Sequence, residues 1–154
     1  MDERLFRDAM GKFATGITVV SMYDKDETIG MTVNAFMSIS LDPMLVAVSI
    51  DEGASMYDKL TVQQSFGISM LNETQEDLSL YFARQKELDY DVNFIEQSRV
   101  PVIKDALAKL SCEVVQEVEA GDHTIVIAKV NDITINDGDP VIYFGSKYRY
   151  LKDN

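Results

Sequence analysis

The sequence predicts a mainly β chain, an antiparallel barrel with peripheral helices. Three observations carry this. Short β-branched and apolar runs recur along the chain: Ile17 to Met22, Leu45 to Ile50, Phe66 to Leu71, Thr124 to Val130 and Val141 to Phe144. From Leu110 onward strand patterns follow one another across short turns, Ala120-Gly121-Asp122 and Asn136-Asp137-Gly138-Asp139. Turns that short join antiparallel neighbours. Helical spacing is confined to a few short stretches, giving about seven strands and two or three helices. A closed or split barrel is the arrangement that hides the edges of so many short strands. No internal repeat, low-complexity tract or linker interrupts the chain, so residues 1–154 read as a single domain.

In chain order, Asp2 can cap a helix over residues 2–13, with Leu5, Phe6, Ala9, Met10 and Phe13 on one stripe. Ile17 to Met22 is a strand, and Asp24-Lys25-Asp26-Glu27 turns it into a hairpin. The next stretch, Gly30 to the turn signal Asp42-Pro43, carries Thr32, Asn34, Ser38 and Ser40 at even spacing. An unbroken strand would show all four on one face. Such a face either meets water or holds a flat polar heterocycle or a phosphate. Leu45 to Ile50 reads as a strand buried on both faces. Ser55 can cap a short helix through Leu60 and Val62. Phe66 to Leu71 is a strand. Asn72 with Gln75 resembles a capping box ahead of a helix bearing Leu78, Tyr81 and Phe82. Residues 85–100 lack a pattern and read as a surface excursion; Pro101 opens a helical turn near Ala106 and Leu107.

Composition narrows the function. Acidic residues outnumber basic ones 26 to 14, for a net charge of −12. Such a surface repels phosphate backbones and argues against nucleic-acid binding. No apolar run is long enough to span a bilayer, and Met1-Asp2-Glu3-Arg4 does not open a signal peptide. One cysteine, Cys112, forms no intrachain disulfide, which fits the cytoplasm, and its strand context makes it a core residue. With one histidine and one cysteine, no structural zinc site is expected, and the acidic residues match no Ca²⁺ loop.

Few residues carry obvious chemistry. His123 is the sole histidine, at a strand entry in Gly121-Asp122-His123-Thr124. Gly-x-Ser-x-Gly, Gly-x-Gly-x-x-Gly and Walker sequences are absent, so the nucleophile elbow, the Rossmann fold and the P-loop are unsupported. Arg84 follows an apolar helix face and can meet a phosphate bidentately or simply close the helix in solvent. Tyr143, Tyr148 and Tyr150 read as packing residues.

Taken together, five blocks resemble a family. They are Phe6 to Val20, Thr32-Val33-Asn34-Ala35-Phe36-x-Ser38-Ile39-Ser40-Leu41-Asp42-Pro43, Leu78-Ser79-x-x-Phe82-Ala83, Gly121 to Ile125, and Tyr143-Phe144-x-x-x-Tyr148-x-x-Leu151. In this order they resemble the flavin reductase-like, FMN-binding split-barrel proteins. The resemblance implies an antiparallel Greek-key split barrel, homodimeric, with FMN or FAD at the subunit interface. It implies reduction of that flavin by NADH or NADPH, often for a partner monooxygenase. By position, Thr32, Val33, Asn34, Ala35, Ser38, Ile39 and Ser40 would lie along the ring and ribityl chain. Ser55 and Arg84 would lie near the phosphate, Phe82 and Ala83 beside the ring, and His123, as the catalytic residue, with Tyr148 on the nicotinamide side. Met37, Met44 and the acidic Asp51-Glu52 depart from the family's pattern. Two other activities share this resemblance: a non-catalytic flavin electron-transfer module and a pyridoxamine-phosphate oxidase.

Overall fold

The computed structural model describes residues 1–152; the expected domain span of 1–154 ends in residues that lie outside the described ones. Helix α1 (Glu3–Met10) starts where predicted, with the Asp2 carboxylate accepting from Arg4 N–H at 2.9 Å. It buries none of its residues within this chain. Strands β1 (Thr18–Asp24) and β2 (Glu27–Val33) form the predicted hairpin, with Lys25 left-handed at φ 58° in the turn.

The stretch from Gly30 to Pro43 is not one strand. β2 stops at Val33, Asn34 and Ala35 turn the chain, and β3 (Phe36–Leu41) begins a separate pairing with β4 (Met44–Asp51). The reason is a change of phase. Met31 and Val33 face the barrel core, and so does Phe36, an odd number of residues later. A continuous strand cannot put both phases inside, so the chain must turn between them. A second irregularity, between Ser38 and Ser40, breaks the even spacing again.

After β4, residues 52–60 form successive turns rather than the predicted helix. Met56 and Leu60 are fully buried, and a segment this short is held by that burial instead of by helix propagation. β5 (Ser65–Met70) and α2 (Glu76–Phe82) match expectation. Asn72 and Gln75 act before the helix: Asn72 N–H donates to Gln75 Oε1, and Thr74 N–H to Asn72 Oδ1. The unpatterned excursion holds a hairpin, β6 (Phe94–Gln97) and β7 (Val100–Ile103). Its turn uses Ser98 and Arg99 at positive φ, without the usual Asn or Gly, and Pro101 lies in β7 rather than opening a helix. That proline is tolerated because β7 pairs on one side only. Two long strands follow, β8 (Ala108–Ala120) and β9 (His123–Ile135), then the small hairpin β10 (Val141–Phe144) and β11 (Lys147–Tyr150).

The main sheet has seven antiparallel strands in the order β2-β1-β5-β8-β9-β4-β3. Its two margins are consecutive in sequence. The connector Asn34-Ala35 reaches only about 10 Å, so the margins must come together and the sheet curls into a barrel. No ladder joins β2 to β3, and the barrel stays split there. Once closed, β5 returns beside β1 after the run β1 to β4, a Greek-key path.

Val20, Met22, Val48, Ile50, Phe66, Ile68 and Cys112 fill the barrel. Burial pushes the Cys112 thiol up to about 12. The other face of β1, Ile17 and Val19, packs with Leu71, Leu78, Ile103 and Val141 into a second core under α2 and the small hairpins. Gly67 allows β7 to lie this close: a Cβ there would stand 2.3 Å from the Pro101 carbonyl oxygen.

Candidate functional site

The second core places α2 against the outer face of β2. Leu78 and Ser79 are its buried residues. Thr32 Oγ1 donates to the Ser79 carbonyl at 2.7 Å, and the Ser79 and Tyr148 hydroxyls lie 2.8 Å apart. Tyr148 stacks edge-on against Tyr143, 5.6 Å between centroids. These bonds hold open a cavity of about 360 Å³ whose wall includes Thr32, Asn34, Ser79, Ala83 and Tyr148. Phe82 packs over Gly30, where a Cβ would come within 2.9 Å of the ring.

The helix ends in an unusual way. Gln85 N–H donates to the Leu80 carbonyl at 2.9 Å and Arg84 N–H to the Tyr81 carbonyl at 3.0 Å, the double closure of a Schellman cap. The left-handed residue of that cap, usually glycine, is Arg84 at φ 60°. A side chain there costs about 1–2 kcal/mol of backbone energy. The cap delivers the guanidinium to a cleft of about 180 Å³, together with Thr32, Ser55, Phe82 and Ala83. Among the described residues Arg84 makes no ion pair. Left-handed residues other than glycine cluster at ligand clamps and active sites.

The remaining residues singled out from sequence lie elsewhere. Val33 turns its side chain into the barrel core and offers only backbone; its carbonyl accepts from Thr18 Oγ1 at 2.6 Å. Ala35 joins Asn34 on a separate apolar groove of about 490 Å³ with Phe13, Phe36, Met37 and Ile125. Ser38, Ile39 and Ser40 sit on the marginal strand β3 and line none of these cavities. His123 opens β9 opposite Asp51. Its Nδ1 lies 2.8 Å from Asp122 Oδ1, and its Nε2 lies 3.9 Å from Asp51 Oδ2. The hydrogen bond to His123 holds the Asp122 carboxyl below its ordinary range. Asp51 also accepts from Gly53 N–H at 2.7 Å, and Glu52 N–H donates to the Asp122 carbonyl. The His123 turn is therefore tied to the loop that carries Ser55.

Sequence reading missed Ser79, which lines the cavity of about 360 Å³, and Gly30, Lys59, Tyr81 and Lys86, which line a larger cleft of about 510 Å³ that also takes in Ser55, Phe82 and Arg84. Ser79 carried a signal: a hydroxyl beside Leu78 on the buried side of a short helix needs partners. The lysines carried none, since exposed lysines are common everywhere on a surface.

This split barrel is a fold that other proteins share. The chain matches the flavin reductase like domain over residues 10–152 and belongs to that family. A solved flavin reductase, PheA2 in its native state, shares 51% identity with a TM-score of 0.95, covering 99% of this chain and 100% of that one. The reductase component of 4-hydroxyphenylacetate 3-monooxygenase from Thermus thermophilus is 40% identical over 95% of each chain. The NADH:FAD oxidoreductase SgcE6 of Streptomyces globisporus, solved with NAD and FAD fragments, is 34% identical, with a TM-score of 0.90 over 98% of this chain and 93% of that one.

Proposed function

We propose that this chain, as one domain, binds FMN or the FMN portion of FAD, reduces it with NADH or NADPH, and supplies it to a monooxygenase. The observation that carries this is the junction of two cavities. A flat polar heterocycle fits the first, walled by Thr32, Asn34, Ala83 and Tyr148, and a phosphate fits the second, where Arg84 has no ion-pair partner among the described residues. The donor set suits the group: hydroxyls and an amide for a ring and sugar chain, a guanidinium for a phosphate. Bound flavin supplies the hydride and electron chemistry.

The protein's own residues bind, orient and exclude water. Ser79 and Tyr148 keep each other in place, so the cavity wall is set before any ligand enters. Asp122 orients the His123 ring from Nδ1 and leaves Nε2 facing outward beside Asp51, where it can position a nicotinamide. Ser38 and Ser40 reach a ligand only if a second copy of the chain brings one to β3. Leu5, Phe6, Met10 and Phe13 are exposed on one chain, and a homodimer covers such a stripe. The buried Cys112 thiol suits a cytoplasmic setting, and among the described residues no helix is long and apolar enough to cross a membrane.

Anaerobic addition of NADH to the flavin-loaded protein tests the reading. Loss of the flavin's visible absorbance, and steady NADH oxidation in air with added flavin, are the expected results. A bound flavin that NADH and NADPH both leave oxidised would overturn the reductase assignment and leave an electron-transfer module.

A further inference from the structure

Among the described residues, metal-ligating side chains gather at the His123 turn. Asp51, Asp122 and His123 each bring one donor atom within 4.8 Å of the other two. The backbone holds them there. Asp51 ends β4 directly opposite His123 at the start of β9, so both side chains stand on one face of the sheet. Glu52 N–H donates to the Asp122 carbonyl at 2.9 Å and ties the two loops together. The hydrogen bonds already made decide what is left over. Asp122 Oδ1 lies 2.8 Å from Nδ1. An ionised carboxylate only accepts, so the neutral ring carries its proton on Nδ1 and turns the Nε2 lone pair outward. Asp51 Oδ1 accepts from Gly53 N–H at 2.7 Å, and Oδ2 is left 3.9 Å from Nε2. Two lone pairs therefore face one another with no proton between them.

We infer that this pair binds a divalent transition metal, with Zn²⁺ as the best match. Nε2 and Asp51 Oδ2 are the ligands, Asp122 holds the ring from behind, and water completes the shell. Neighbouring ligands of a tetrahedral zinc stand about 3.4 Å apart, so a closure of about half an ångström from the observed 3.9 Å suffices. A carboxylate behind a histidine fixes the tautomer a metal needs and raises the basicity of the ligating nitrogen. An imidazole in the ligand set selects zinc over Mg²⁺ and Ca²⁺, which take shells of oxygen. The His123 side chain is 38% exposed, so an ion can enter and keep its waters. The net charge of −12 draws cations to this surface just as it repels anions. Asp51 is also a position at which this chain departs from its family's pattern, so that pattern does not supply this ligand. A zinc on Nε2 takes away the nitrogen proposed to position the nicotinamide. The site is therefore an inhibitory one, and this last step rests on the reductase reading above.

Calorimetric titration of the full-length protein with zinc chloride, in a buffer that does not chelate, is the test. One zinc per chain should bind in the micromolar range, since an open site with two protein ligands is far weaker than a closed structural one. His123→Gln should abolish this binding. Asp51→Asn should weaken it at least about tenfold, and Asp122→Asn about tenfold, the usual effect of losing a partner behind a ligand. Mg²⁺ at the same concentrations should not bind. Stopped-flow reduction of the flavin-loaded protein by NADH should slow as zinc fills the site, and EDTA should restore the rate. Zinc bound equally by the unaltered chain, His123→Gln and Asp51→Asn would overturn the site, because the ion would then lie on scattered surface carboxylates. If binding needs His123 and Asp51 but NADH reduces the flavin at an unchanged rate, the metal site stands and the placement of the nicotinamide at His123 falls. If no zinc binds and NADH still reduces the flavin, the inference fails while the reductase reading survives. Urea unfolding of each variant separates loss of binding from loss of fold.

Discussion

The α2 side of the site and the β3 side are built in opposite ways. Around α2, side chains are locked before a ligand arrives: Thr32 to Ser79, Ser79 to Tyr148, Phe82 over Gly30, and Arg84 on a closed helix cap. On β3, Met37, Ser38 and Ile39 are exposed, and the strand forms one margin of the sheet. The two sides began as one polar row in the sequence. The contrast teaches that one chain closes its α2 side around cavities and leaves β3 as an exposed sheet margin. The α2 side stores strain at Arg84, and the β3 side stores exposed apolar area at Phe13, Met37, Ile39 and Leu41.

The sharpest way to break this contrast is Arg84→Gly. Glycine suits the left-handed cap, so the fold should gain about 1 kcal/mol in urea unfolding. FMN binding should fall by about 2–3 kcal/mol, the worth of a charged hydrogen bond, while riboflavin binding stays level. Stability and affinity moving in the same direction would show that Arg84 serves the helix and not a ligand.

How much of this was legible in the sequence follows the same division. Strands, hairpin turns and the Asp2 cap were readable because period-two apolar patterns and turn residues are local signals. The polar row was misread as continuous because phase is decided by which residues the closed barrel buries, Val33 and Phe36 together, and closure is not local. The β6–β7 hairpin was hidden by a turn of Ser98 and Arg99 at positive φ and by Pro101 inside a strand. In the site, Thr32, Asn34, Ser55, Phe82, Ala83, Arg84 and Tyr148 were all singled out, and the structure places them around adjoining cavities. Ser79 and the lysines depend on contacts between distant segments, which spacing does not encode.

Smaller perturbations sharpen the comparison. His123→Ala removes a group tied to the Ser55 loop but outside both cavities. It should slow NADH-dependent reduction about tenfold while flavin affinity stays within about threefold; stopped-flow reduction against a flavin titration measures both. An unchanged rate would make His123 structural. Tyr148→Phe leaves the hydroxyl of buried Ser79 short of a partner and should cost about 1–2 kcal/mol of stability. Ser79→Ala in the same background should cost little more, because the partner is already gone. Additive losses in urea unfolding would mean the two hydroxyls are not coupled. On the open side, Ser38→Ala with Ser40→Ala should change unfolding free energy by less than about 0.5 kcal/mol, as exposed substitutions do. The same double variant should weaken flavin binding by about 1 kcal/mol only in dimeric protein. Equal affinity in sedimenting monomer and dimer would remove β3 from the site.

The smallest expected effect concerns salt, and it asks which of two fields a ligand meets first. Flavin phosphate and nicotinamide dinucleotides are anions, and the chain carries a net charge of −12. The cations of the larger cleft are muted at a distance, because Lys59 and Lys86 each sit against an aspartate. Lys12 and Arg149, on the other side of the second core's hairpin, lie over the Phe144 ring at 6.0 and 5.6 Å and add a separate positive patch. At long range the summed field therefore repels the substrate, and attraction begins only within the cleft. Raising ionic strength from 0.01 M to 0.1 M shortens the Debye length from about 30 Å to about 10 Å, which screens the far field and spares contacts made at hydrogen-bond distance. Over that range kcat/KM for NADH should rise about twofold before higher salt weakens the phosphate contacts themselves. A patch assembled from Lys12, Arg84, Lys147 and Arg149 across two copies of the chain would do the reverse, focusing the field at the site so that kcat/KM falls from the lowest salt onward. Stopped-flow reduction at several sodium chloride concentrations decides between them by the sign of the initial slope. A falling slope that becomes a rising one in Arg84→Gly would place the focusing on the α2 side, and the repulsion everywhere else.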